Sequence, residues 1–374
     1  MWNSKYFSRI DFRVLPILGA LMMISLLIIS AHTQNNQTPS FFTPLTRSQL
    51  QWFFMGWGVF WFFAGFDYNK LREWTWILYG LMLIALVGLF FTDPIQRVQR
   101  WYRLPFINIG FQPSEVAKLT VVIALSWFLE RRKQDSASWR TAITAAIIVG
   151  IPFLLILKQP DLGTALILFP VTLVLFYFGN LRPSLLKFML GFSAIALIVV
   201  ATIFLGIIPH EQIRPYAAMF LKEYQMDRLD PNTHHQKAAG IAIALGGLTG
   251  SGWGKSEFTG QGWLPTPYTD AVFPAFGEEF GFIGLFILIA LLYALIYFSF
   301  QVTVVAKDHF GRLLAAGIAV YLAVHILVNI GMMSGILPIT GVPLPIVSYG
   351  GTSILATMAA LGILQSIYSR RFMF

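Results

Sequence analysis

The stretch GWLPTPYTDAVFPAFGEEFGF, Gly262–Phe282, sets a loop rich in proline and tryptophan against an apolar run that continues to about Phe300. The carboxylate of Asp270 stands at the boundary, and Glu278 and Glu279 stand just inside the run. A helix needs about 20 residues to cross the hydrocarbon core of a bilayer, and this run is long enough.

Outward from that stretch the rest of the chain reads the same way. Of 374 residues, 56% are hydrophobic and only 11% are charged, which belongs to a polytopic membrane protein and not to a soluble domain. Nine further charge-poor runs lie near Val14–Ala31, Leu50–Phe66, Trp74–Phe91, Pro113–Leu129, Thr141–Leu157, Leu162–Phe178, Phe188–Ile208, Leu313–Gly331 and Gly351–Tyr368. With Ala271–Phe300 they predict an all-α integral membrane protein of about ten transmembrane helices. Residues 1–374 read as a single transmembrane domain, with residues 209–270 as one long loop. Within that loop, RPYAAMFLKEYQMDRL reads as a short amphipathic interfacial helix. The first span follows Lys5, Arg9 and Arg13 without a small-residue cleavage site, so it reads as an uncleaved anchor. There is no cysteine, which excludes disulfides and thiolate metal sites. The net charge of +9 is read as topology and not as nucleic-acid binding.

Lysines and arginines favour cytoplasmic loops. If the N-terminus is cytoplasmic, the short loops of the opposite side hold only Arg47, Arg97, Arg100, Arg103 and Lys158, against fifteen cations on the cytoplasmic side. Both termini are therefore expected in the cytoplasm, with residues 209–270 outside.

Four groups on the outer side need a reason. In FQPSEVAKL, Glu115 and Lys118 are three residues apart and share a helix face. Helix-start grammar explains Pro113 and Glu115, and Lys118 can snorkel. The sharper reading is a pair facing a polar cavity, because exposing such groups to lipid is costly. In KQPDLGTA, Asp161 precedes an apolar run, as an N-cap does. In RVQRWYR, three arginines flank Trp101 and Tyr102; they suit an interfacial anchor or bidentate phosphate binding. Asn329–Ser353, NIGMMSGILPITGVPLPIVSYGGTS, reads as a broken segment lining a cavity, since irregular backbone at membrane depth needs protein or water around it. Asp270 has the same two readings, N-cap or general base; Glu278 and Glu279 read only as acids suited to a helix start.

FQPSEVAK, KQPDLGTALI, GGLTGSGW, LPTPYTDAVFPAFGEEFGFIG and the Asn329–Ser353 segment together resemble the SEDS proteins (shape, elongation, division and sporulation). Within that family the chain is most similar to the elongation members. The resemblance implies a peptidoglycan glycosyltransferase in the bacterial cytoplasmic membrane. It would polymerise lipid II, an undecaprenyl-diphosphate-linked disaccharide-pentapeptide, with the diphosphate as leaving group. It implies Asp270 as the essential carboxylate, with Glu115, Lys118, Asp161 and Arg100 as matching site positions; beside it, Arg103 is read as a further phosphate contact, with Arg97 the other arginine able to replace the basic residue missing at Gly110. Expected partners are a class B penicillin-binding transpeptidase and other elongation-complex membrane proteins, with no nucleic acid. No cofactor is certain; a divalent cation, Mg or Mn, is the alternative to cationic side chains at the diphosphate. The chain departs from the pattern at Gly110, where many members have a basic residue, at Arg97, where a glycine is common, and at Ala238-Ala239. A lipid-II flippase, a scaffold, and a division or sporulation paralogue are the rival readings; a flippase predicts charged groups toward both faces.

Overall fold

The computed structural model describes residues 4–33, 41–93, 99–104, 109–204, 207, 228, 230 and 233–372. Ten long helices appear among them. They are α1 (Val14–Thr33), α2 (Pro44–Gly65), α3 (Leu71–Gly88), α4 (Pro113–Arg131), α5 (Trp139–Lys158), α6 (Leu162–Phe178), α7 (Pro183–Phe204), α9 (Val272–Val305), α10 (His309–Met333) and α11 (Gly351–Ser369). A shorter helix, α8 (His234–Gly246), precedes α9. Strands β1 (Tyr102–Leu104) and β2 (Ile109–Phe111) form a small antiparallel hairpin ahead of α4. Seven helices are long and apolar enough to cross a membrane: α1, α3, α5, α7, α9, α10 and α11. The other three are less clear-cut by composition. Charges such as Glu115 and Lys118 lower the apolarity of α4, and α6 has only 17 residues.

Burial sorts the helices into a core and a lipid-facing rim. α4, α10 and α11 are buried along most of their length, whereas α7 buries only Ile203. Exposed apolar side chains on α7, such as Phe188, Phe192 and Leu197, are what a helix presents to lipid. Small residues let the core helices close up: a Cβ on Gly317 of α10 would lie 2.5 Å from Val122 of α4 and 3.3 Å from Leu175 of α6.

The run from Ala271 to Phe300 is not one uninterrupted helix. Gly281 has φ 63° and ψ −163°, so α9 is two helices meeting at a break. A break at membrane depth strands backbone groups that must find partners. Residues 247–252 supply them. Ser251 N and Gly252 N donate to the carbonyls of Glu278 and Glu279, and Phe282 N and Ile283 N donate to those of Gly247 and Leu248. Gly281 is required twice, by its positive φ and because a Cβ there would lie 2.4 Å from Gly250 N.

The expected long loop is therefore partly a built element: α8 and the 247–252 segment pack onto α9. Glu278 and Glu279 hold it there, and they do more than favour a helix start. Glu278 accepts hydrogen bonds from Phe258 N at 2.9 Å and Thr259 N at 3.1 Å, and from the Thr259 hydroxyl. Glu279 accepts from Gly254 N at 3.2 Å. Except for Arg228, the expected amphipathic helix RPYAAMFLKEYQMDRL lies outside the described residues, as do residues 205, 206 and 208 at the end of the seventh expected span.

At the end of the bundle opposite Asp270, Arg72 of α3 pairs with Glu130 of α4 at 2.8 Å and with Asp308, the N-cap of α10. Tyr68 also donates to Asp308.

Candidate active site

The starts of α4, α6 and α9 and the irregular segment after α10 surround a cavity of about 440 Å³. Each wall has a local cause.

Asp161 caps α6, as its position before an apolar run predicts. Its carboxylate accepts from Thr164 N at 3.3 Å and from the Thr164 hydroxyl at 3.0 Å. It also accepts from Ser114 Oγ at 2.8 Å and Gln112 Nε2 at 3.1 Å. One carboxylate thus ties the start of α4 to the start of α6. Arg100 is held nearby, its Nε donating to the Gln159 carbonyl at 3.0 Å.

Lys118 and Glu115 form the expected pair, 2.7 Å apart, with Lys118 1% and Glu115 4% exposed. Burial of that degree rules out snorkelling. A third member was missed from the sequence: His325 of α10 lies 2.7 Å from the same Lys118 Nζ. A lone histidine in an apolar run was the only available signal, and by itself it is weak. The Tyr321 ring flanks the ammonium, its centroid 5.4 Å from Nζ.

The segment after α10 folds as irregular backbone over residues 334–350, in agreement with its Pro/Gly content. Ile346 has φ +67°, a left-handed conformation uncommon for a β-branched residue. The segment is tied to the loop carrying Asp270. Ser348 Oγ donates to the Thr269 carbonyl at 2.6 Å, and Tyr349 N to the Tyr268 carbonyl at 2.8 Å. Asn329 Nδ2 of α10, fully buried, donates to the carbonyls of Asp270 at 3.0 Å and Val342 at 2.7 Å.

Asp270 itself does not cap α9. The N-cap is Ala271, and no side chain caps that helix. The Asp270 carboxyl instead lines the cavity together with Arg100, Arg228 and Lys118. Burial pushes it above the ordinary carboxylate range, and Arg228 and then Arg100 pull it back. A carboxyl so placed is a better proton acceptor than one in water.

The expected phosphate contacts divide. Arg100 lines the cavity; Arg103, on β1, is exposed and does not. Arg97 lies outside the described residues. Arg228, not anticipated, enters the cavity wall and donates to the Thr340 carbonyl at 2.9 Å. Gly110, the first departure from the family pattern, lies under Trp101, whose ring would be 3.4 Å from a Cβ there. Ala238 and Ala239 are buried on α8.

Among the described residues no group of three or more His, Asp or Glu side chains is arranged to hold a metal ion. Asp161, the other cavity aspartate, is already committed to Ser114, Gln112 and Thr164.

The family model described as "Cell cycle protein", covering FtsW, RodA and SpoVE, matches residues 8–371. Peptidoglycan glycosyltransferase MrdB of Escherichia coli K12 is 33% identical over 374 residues, spanning 99% of this chain and 97% of that protein. MrdB of Helicobacter pylori is 31% identical over 88% of this chain and 84% of its own length. A probable FtsW glycosyltransferase of Trichlorobacter lovleyi is 32% identical over 80% of this chain and 77% of its own length. Among solved structures, a chain from a study of how a peptidoglycan synthase complex coordinates polymerisation and crosslinking superposes with a TM-score of 0.75 at 25% identity. It is matched over 98% of this chain and 99% of its own. The rod shape determining protein RodA of Thermus thermophilus superposes at 0.69 and 24% identity, covering 98% of both chains, which shows a shared fold.

Proposed function

The chain belongs to the FtsW/RodA/SpoVE family, and from that premise we propose that its cavity joins lipid II units with Asp270 as general base. It is a membrane peptidoglycan glycosyltransferase of the RodA, elongation, type.

The observation that carries the assignment of the base is that Asp270 has no capping role. A carboxylate that does not cap its helix, yet lies partly buried on a cavity beside Arg100, Arg228 and Lys118, suits proton abstraction. The 4-hydroxyl of an acceptor sugar gives its proton to Asp270 as the oxygen attacks the anomeric carbon of the donor. The bond from that carbon to the lipid diphosphate breaks, with inversion. Arg100 and Lys118 stabilise the charge developing on the diphosphate. Glu115 orients Lys118, and Asp161 supports the wall by joining α4 to α6. Arg103, exposed on the hairpin and outside the cavity lining, carries no step of this reaction.

The same reading places the cavity outside the bacterial cytoplasmic membrane, with both termini in the cytoplasm. A class B penicillin-binding transpeptidase is the proposed partner, supported by the similar chain from a peptidoglycan synthase complex. The test is polymerisation of labelled lipid II by the purified protein, with and without that partner. Glycan strands are expected. Translocation of lipid II without strand formation would favour the flippase reading.

A further inference from the structure

We propose that His325 is a positioning residue for Lys118. The proposed consequence rests on the glycosyltransferase reading; the contact itself does not.

His325 and Lys118 are each 1% exposed, and Lys118 Nζ lies 2.7 Å from both His325 Nε2 and Glu115 Oε1. An ammonium has three donors and no acceptor, so Nε2 must accept. The ring is therefore neutral, with its proton on Nδ1. Two of the three ammonium protons are committed, one to each partner. The third is left for a ligand oxygen in the cavity that Lys118 lines.

Glu115 alone would not fix that direction, because it sits one turn away on the same helix and both side chains can swing together. His325 comes from α10, so its contact pins the ammonium against a second helix. It also joins the α4 wall of the cavity to the helix whose Asn329 holds the Asp270 backbone. The phosphate-directed cation and the base are thereby referred to one rigid element.

Only a neutral ring can do this, because an imidazolium 2.7 Å from an ammonium would repel it. The charged and titratable groups facing the ring are Lys118 and Glu115 from α4 and Tyr321 from its own helix. Arg100, Asp161, Arg228 and Asp270 line the same cavity, while the spans of α6 and α11 contain no charged residue.

Two variants and two readouts test the proposal. His325→Leu removes the acceptor, and His325→Gln supplies an uncharged one. The first readout is the rate of lipid-II polymerisation. The second is acylation of Lys118 by a small anhydride, read by peptide mass spectrometry on the purified protein. His325→Leu is expected to slow polymerisation roughly 10- to 100-fold, the scale of a misplaced reacting group. It is also expected to speed acylation, because the ammonium form loses an acceptor. His325→Gln should match wild type in both. Wild-type polymerisation or wild-type acylation in His325→Leu overturns the proposal, and so does a His325→Gln protein as impaired as the leucine variant. If His325→Leu does not fold, His325→Ala takes its place under the same criteria. Absence of polymerisation by the wild-type protein would remove the enzymatic reading, while the acylation comparison would still decide the contact.

Discussion

At the scale of single residues, Asp270 and Lys118 separate chemistry from stability in opposite ways. The Asp270 carboxyl binds its proton more tightly in the folded than in the unfolded protein, because burial outweighs Arg228 and Arg100. The folded state is then progressively disfavoured as pH rises past the ordinary aspartate value, and the whole cost is present above the raised one. Asp270→Asn removes the charge and that cost. The variant is expected to melt at or above the wild-type temperature at neutral pH, with the two converging in acid. Its lipid-II polymerisation should fall by about 10²–10⁴-fold, the usual worth of a general base. Thermal unfolding and polymerisation of one preparation check both; retained activity would leave Asp270 without the proposed role. Lys118→Met does the reverse to stability. It leaves Glu115 buried without its cation, and breaking a buried pair costs about 3–5 kcal/mol. Adding Glu115→Gln should restore most of the melting temperature and none of the polymerisation. Recovery of both in the double variant would make the pair a structural device only.

At the scale of elements, what the sequence made legible depended on whether the cause was local. Helix existence was local, because a charge-poor run of the right length has one stable form in a bilayer. Asp161 as a cap was local too, since its partner Thr164 is three residues on. The His325 to Lys118 contact was not, because its two residues are 207 positions apart and only tertiary packing joins them. The break in α9 was hidden for the same reason: a glycine between Phe280 and Phe282 in an apolar run is common in membrane helices. What makes this one a break is the 247–252 segment threaded through it. Asp270 misled in another way, because the residue before an apolar run usually caps it, and here Ala271 holds that position without a side-chain cap. The break gives a prediction at this scale. Gly281→Ala forces a Cβ into Gly250 and Leu248 at a positive φ, a strain on the order of 1–3 kcal/mol. The strain should be relieved by undocking the segment, so hydrogen exchange at the Ser251 and Gly252 amides is expected to accelerate selectively. Exchange unchanged at both amides would show that the break does not depend on that docking.

At the scale of the whole molecule, the polar groups are distributed by end. Asp161, Asp270, the Glu115–Lys118–His325 cluster and the 334–350 segment gather at one end of the bundle. The Arg72–Glu130–Asp308 network occupies the other. A transporter moving a charged headgroup through the protein would need a polar path joining the ends. Here Val122, Gly317 and Leu175 pack tightly between them. If the cavity end carries the proposed chemistry on lipid-linked sugars outside the cytoplasm, that end must face outward. The loop charges argue for that orientation, and the absence of cysteine makes it directly measurable. Ala137, between α4 and α5, and Gln261, between α8 and α9, are exposed. In intact cells, with the outer membrane permeabilised where one is present, a single cysteine at Gln261 should react with a membrane-impermeant maleimide. One at Ala137 should react only after the cytoplasmic membrane is opened. The reverse pattern would put Asp270 in the cytoplasm, away from any extracytoplasmic glycan acceptor, and would overturn the orientation and the proposed reaction together.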